Sequence, residues 1–257
     1  MSLVSGALAS DRVNAGRAAG ISGATIWCFG LLTYITTLTG NRVFGSKINP
    51  GVRGWQCRLN GVGGNIELRT AAWGTTNMIY ITNDTPFATL NTWYYVFGSV
   101  DTTLGSAQAH IYAGTVASLA GGASVTERAY GTATDGTTAG TYAADTNADD
   151  YMWFNTSGLA AALQGRGAWG FYHVGAIITA AQAAAWFRRP GTKAGSVSLS
   201  LVHALGYQGA GDQTDYSGNG NTGVVTGCTQ NQNNPLVHGQ LVGGLDPYRL
   251  AGERMVA

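Results

Sequence analysis

The run Thr92-Trp93-Tyr94-Tyr95-Val96-Phe97-Gly98-Ser99-Val100 is dense in aromatic and β-branched residues, which suit a pleated, packed surface and suit a helix poorly. Asp101 to Gly105 then reads as a turn and Ala107 to Ala113 as the strand that returns from it. Upstream, Ala24 to Ile35 places Ile26, Cys28 and Gly30 on one face and Trp27, Phe29 and Leu31 on the other. A strand apolar on both faces belongs in the middle of a fold. Between these two runs lie shorter candidate strands at Arg42 to Ser46, Gly54 to Leu59, Asn65 to Ala72 and Met78 to Thr82. Asn60-Gly61 and Gly63-Gly64-Asn65 tolerate positive φ and make this region a meander of hairpins.

Downstream, Thr115 to Asp150 is rich in Gly, Ala and Thr with little apolar period. It reads as long loops carrying one or two edge strands. Strand patterns resume at Tyr151 to Asn155 and Gly167 to Ile178, and the period then changes at Thr179 to Arg189. Thr179 and Gln182 form a capping box and Pro190 stops the helix. Ser196 to Leu205 is the last strong strand, followed by a polar turn at Asp212 to Asn221 and a short strand at Thr222 to Val225. The expectation is a single all-β domain, an antiparallel two-sheet sandwich with one short helix, over residues 21–234. Residues 1–20 read as an N-terminal arm or irregular edge segment, and 235–257 as a tail.

Composition narrows the function classes. Among 257 residues the net charge is +1, charged residues are 11%, and 39 are glycine. The 12 arginines and two lysines, Lys47 and Lys193, form no basic run, so attraction to nucleic acid or an anionic membrane has no support. A chain so poor in charge either presents a neutral Thr/Asn/Gly surface or covers much of itself with neighbouring subunits. Cys28, Cys57 and Cys228 lack CxxC spacing and His companions, and read as small buried apolar residues. Residues 1–23 contain no apolar stretch of signal-peptide type, and nowhere does an apolar run approach the length of a membrane span.

Several motifs resemble those of laminin-G-like, concanavalin A-like jelly-roll domains over roughly Ala24 to Gly227. Leu90-Asn91-Thr92-Trp93-Tyr94-Tyr95-Val96 is similar to that family's Trp-aromatic strand, and His110-Ile111-Tyr112-Ala113-Gly114 to the strand after it. Gly170-Phe171-Tyr172-His173-Val174-Gly175, with Ile178-Thr179 and Gln182, resembles its strand and short helix. The sharpest match is Asp215-Tyr216-Ser217-Gly218-Asn219-Gly220-Asn221-Thr222-Gly223. In that turn Asp215 and Ser217 can bond the backbone, while Gly218, Asn219, Gly220 and Asn221 permit positive φ. The order of helix, strand and then this turn resembles laminin-G-like proteins of tailed bacteriophages. The resemblance implies a jelly roll and a virion component on the particle exterior, made in the host cytoplasm.

Catalytic machinery is hard to find. Glycosidases need two paired carboxyl groups, and the only glutamates, Glu67, Glu127 and Glu253, are isolated in sequence. His110, His173, His203 and His238 accompany no recognisable nucleophile elbow. Asp145, Asn147, Asp149 and Asp150 could offer oxygens to Ca²⁺, or form a solvated acidic loop. Trp55, Trp73, Trp153 and Trp169 could stack on sugar rings, or be core residues. The expected function is a non-enzymatic virion structural protein, a capsid decoration or accessory protein. Its partners would be the major capsid protein or further copies of itself, with no cofactor. The alternatives are a lectin-like module for cell-surface glycans and a polysaccharide hydrolase.

Overall fold

The computed structural model describes residues 2–6, 10–16, 25–48, 54–61, 64–72, 76–87, 89–101, 103–104, 109–135, 150–155, 162–188, 190, 199–206 and 209–231. The strands are, in chain order, β1 (Ser2–Gly6), β2 (Arg12–Gly16), β3 (Ile26–Ile35), β4 (Arg42–Ile48), β5 (Gly54–Leu59), β6 (Ile66–Ala72), β7 (Thr76–Thr82) and β8 (Thr92–Asp101). They continue as β9 (Ala109–Thr115), β10 (Tyr130–Asp135), β11 (Tyr151–Trp153), β12 (Gln164–Val174), β13 (Leu201–Ala204), β14 (Val224–Thr226) and β15 (Thr229–Asn231). The helices are α1 (Val116–Ala120) and α2 (Ala180–Arg188).

All named pairings are antiparallel, and they build two sheets that face each other. One runs β15-β1-β12-β3-β8-β9, with β13 sharing the edge of β12 beyond β1; the other runs β10-β7-β6-β5-β4-β11-β2-β14. β3 and β8 pair residue for residue from Ile26↔Asp101 to Ile35↔Thr92. Their inner faces supply Trp27, Phe29, Leu31, Tyr94 and Val96 to the core between the sheets, where they meet Trp55, Cys57 and Leu68. That is the antiparallel two-sheet sandwich expected from the strand pattern, and the jelly roll that the motif resemblance implies.

Where a strand carries glycine on the inner face, a ring from a neighbour fills the gap. Gly98 lies opposite Phe29 in the register, and a Cβ there would sit 2.6 Å from Phe29 Cε1. The rings so accommodated join a ladder in which Trp27 stacks on Trp55 at 4.5 Å and Trp55 on Tyr172 at 5.1 Å.

The outer face of the first sheet is buried as well, which explains why β3 is apolar on both sides. Cys28, Leu32, Tyr95, Phe97 and Phe171 form a second cluster with Leu119 of α1 and Ala183, Trp186 and Phe187 of α2. Thr179 caps α2 as its sequence implies: Thr179 N–H donates to Gln182 Oε1 at 2.9 Å, and Gln182 N–H to Thr179 Oγ1 at 3.3 Å. The three thiols are free and buried. Burial pushes Cys28 and Cys228 up to about 12 and Cys57 well above its ordinary value, so all three stay protonated and inert.

Two expectations need correction. One short helix was expected and the described residues hold two, because the five-residue α1 lies in a Gly/Ala/Thr stretch with no apolar period to announce it; Thr115 Oγ1 caps it by accepting from Ser118 N–H at 3.3 Å. Residues 2–6 and 12–16 are not an arm but interior strands. Leu3 pairs with Gly167 on one side and Gln230 on the other, and Val13 with Trp153 and Val225. Five-residue strands hold only two or three inward positions, here Leu3, Val13 and Ala15, too few to stand out against Ala and Gly. Residues 235–257 lie outside the described residues.

Candidate functional site

Register, rather than sequence proximity, assembles the most distinctive surface feature. Arg166 of β12 lies opposite Tyr34 of β3, and Tyr34 opposite Trp93 of β8. Leu3 and Tyr94 point into the core between the sheets, and a Cβ at Gly167 would run into Phe154 of that core. Alternation therefore sends Val4, Arg166, Tyr34 and Trp93 to the outer face. The Arg166 guanidinium carbon stands 4.6 Å above the Tyr34 ring, and Tyr34 meets Trp93 edge-on at 5.5 Å. Arg166 Nη1 donates to Asn231 Oδ1 at 3.1 Å. Trp93, Tyr34 and Arg166 are each half-buried. Trp93 packs on the rim of the helix-covered cluster, so the row lies where the helical layer gives way to solvent.

A second aromatic pair occupies the same sheet. Trp169 sits three positions beyond Arg166 on β12, roughly 10 Å along the strand, and its ring lies 5.8 Å from that of Tyr216. Tyr216 is 39% exposed and hangs from β13 through its N–H to the Val202 carbonyl at 2.8 Å. The turn behind it holds that position. Asp215 Oδ1 accepts from Val202 N–H and Ser217 N–H, and Oδ2 from Ser217 Oγ–H and Asn221 N–H, all at 2.8–3.0 Å. Asn219 Nδ2 and Asn221 Nδ2 both donate to the Ser200 carbonyl at 3.0 Å. Gly218 and Gly220 adopt φ of 87° and 75°, which an L side chain would strain. Asp215, Ser217, Gly218, Asn219, Gly220 and Asn221 are thus a corner that bolts the chain to β13.

Of the tryptophans singled out from sequence, Trp55 and Trp153 are corrected to core residues. Both are fully enclosed between the sheets, where Trp55 donates to Tyr172 Oη and Trp153 to His203 Nδ1, each at 3.0 Å. A ring with no open face cannot stack on a sugar. Trp73 lies outside the described residues; Trp169 alone of the four is seen at the surface. Among the acidic-loop residues, Asp145, Asn147 and Asp149 also lie outside, and the Asp150 carboxylate accepts from Asn14 Nδ2 at 2.7 Å. Among the described residues no group of three His, Cys, Asp or Glu is placed to hold a metal.

Among the described residues, Glu67, Glu127 and Asp84 are held in ion pairs. Glu67 accepts from Arg58 Nε at 3.0 Å and Arg69 Nε at 3.1 Å on the outer face of the second sheet. Glu127 pairs with His110 and Asp84 with Arg128, both at 2.7 Å. Burial lowers the pKa of His173 and His203, favouring the neutral rings.

Chemically, the row offers flat apolar ring surface beside a fixed guanidinium, a combination suited to a ligand with both an apolar face and polar edges. Sequence reasoning missed Tyr34, Arg166, Asn231 and Tyr216, because only strand register brings positions 34, 93 and 166 side by side.

No family model matches the chain, and no curated protein sequence matches it. Among solved structures, a candidate carbohydrate-binding protein from Bacteroides ovatus superposes with a TM-score of 0.57 at 15% identity, over 88% of this chain. The chain spans 62% of that protein's length. A heptameric SAP-like pentraxin from Limulus polyphemus superposes with a TM-score of 0.42 at 10% identity, over 70% of this chain and 82% of the pentraxin. At such identities the Bacteroides likeness is one of fold alone: the chain is an antiparallel two-sheet jelly-roll sandwich.

Proposed function

We propose that this protein is a non-catalytic saccharide-binding module whose ligand lies on the outer face of the first sheet, along Arg166, Tyr34 and Trp93. The observation that carries this reading is the row itself. Three half-exposed side chains from three strands lie in one line, with a guanidinium over one ring and a second ring edge-on to it. The nearest use of such a surface is to hold the C–H face of a sugar ring while N–H groups meet its oxygens. The carbohydrate-binding assignment of the Bacteroides protein, which shares the fold, supports the same class.

The tailed-phage motif order adds a place for such a module, the exterior of a virion bound to capsid subunits. That placement rests on the sequence resemblance, and the structural likenesses add nothing to it. A module adhering to host glycans would be compatible with it.

The test is binding of the full chain to a glycan array, repeated with Trp93→Ala and Tyr34→Ala. Loss of one stacking ring is expected to weaken binding about tenfold, on the order of 1.4 kcal/mol, with cooperative thermal unfolding retained in both variants. A wild-type protein that binds no glycan overturns the reading, as do variants that bind unchanged.

A further inference from the structure

Resting on the saccharide reading above, we infer that the ligand of the row is an acidic saccharide, a chain bearing uronate or sialate carboxylates, and that Arg166 is the residue that selects it. Arg166 is half-buried yet has no acidic counterpart among the described residues. The ion pairs of the described residues join Arg58 and Arg69 to Glu67, His110 to Glu127, and Arg128 to Asp84. Across the outward row the strands present Thr229, Val4, Arg166, Tyr34 and Trp93, so among these paired positions a single positive charge stands with no carboxylate.

The guanidinium is also held in one orientation. Its central carbon stands over the Tyr34 ring and one of its five N–H donors is engaged by Asn231 Oδ1. A cation serving only solubility would gain nothing from being fixed at both its face and its edge. A fixed fork loses less side-chain freedom on binding and matches the two oxygens of a carboxylate, as a lysine ammonium would not. The aromatic rings then take the sugar body while the guanidinium takes its acid group. Among the other described arginines, Arg188 donates to the carbonyls of Leu119 and Gly122, Arg42 to those of Thr39 and Ala162, and Arg12, on the other sheet, to that of Ser10.

The experiment uses matched pairs on one array, uronate oligosaccharides and sialosides each as free acid and as methyl ester, which keeps the ring and removes the charge. The wild type is expected to bind one acid class at least tenfold more tightly than its ester, and which class responds distinguishes uronate from sialate. Arg166→Gln and Arg166→Lys are expected to abolish that preference while weak ester binding, which depends on Trp93, survives. Unfolding midpoints of both variants are measured alongside. Equal binding of acid and ester that still falls with Trp93→Ala overturns the acidic ligand and leaves saccharide binding standing. No binding to any saccharide, charged or neutral, overturns both.

Discussion

His203 is fixed by two partners of opposite kind. The Trp153 indole can only donate, so the His203 Nδ1 it meets at 3.0 Å must be the acceptor. Nε2, 2.8 Å from the Asn221 carbonyl, must then carry the proton. A second proton on Nδ1 would face the indole N–H. Burial lowers the pKa of His203, opposed by the Asn221 carbonyl and the Asp215 carboxylate, and burial alone lowers that of His173. With both folded values below the usual 6.5, the unfolded chain takes up protons first as pH falls. Stability is therefore complete above about pH 6.5 and declines below it. Urea unfolding should show the midpoint falling from pH 7.5 to pH 5, with a shallower fall in His203→Gln; a flat wild-type profile would contradict the lowering of the two histidines by burial. At this scale legibility was uneven. The Asp215 turn could be read because its partners lie mostly within six positions, whereas Trp55 and Trp153 could not be told from surface rings because alternation fixes a side chain's face but not what covers that face.

Strands paired with aromatic neighbours carry a predictable weakness. At Gly98 an added methyl meets the Phe29 ring and, from the facing sheet, Leu68 Cδ2 at 3.4 Å; at Gly170 it meets the Trp153 ring. Rings locked in a ladder cannot step aside, so Gly98→Ala and Gly170→Ala should each cost about 1–3 kcal/mol through overpacking. Chemical denaturation measures this, and an unchanged midpoint would mean that the ladder yields. Strand positions from β3 to β9 were visible in sequence because aromatic and β-branched residues cluster there, and an edge strand expected between positions 115 and 150 is β10, which among the described residues pairs with β7 alone. The candidate row was invisible for a reason belonging to elements: Tyr34, Trp93 and Arg166 each look ordinary until β3 pairs with β8 and β12.

At the level of the molecule, the helices cover one sheet while the other presents Glu67 between Arg58 and Arg69 to its outside. A chain with 11% charged residues has little repulsion to keep copies apart. Light scattering is expected to give a mass that is a multiple of 26.6 kDa and that a chelator leaves unchanged. A monomer would favour a free module over a particle component. The sandwich itself was readable because composition, turn chemistry and period agreed; its closure was not, since the first two strands are short and small. That closure sets a timetable for synthesis. β1 is made early, yet Leu3 finds Gly167 only 164 positions later and Gln230 later still. At about 5–20 residues per second the nascent chain waits roughly ten to thirty seconds for the first of these partners. During that interval the edges of β1 and β2 are unpaired, and a fold so dominated by distant pairings assembles late and slowly.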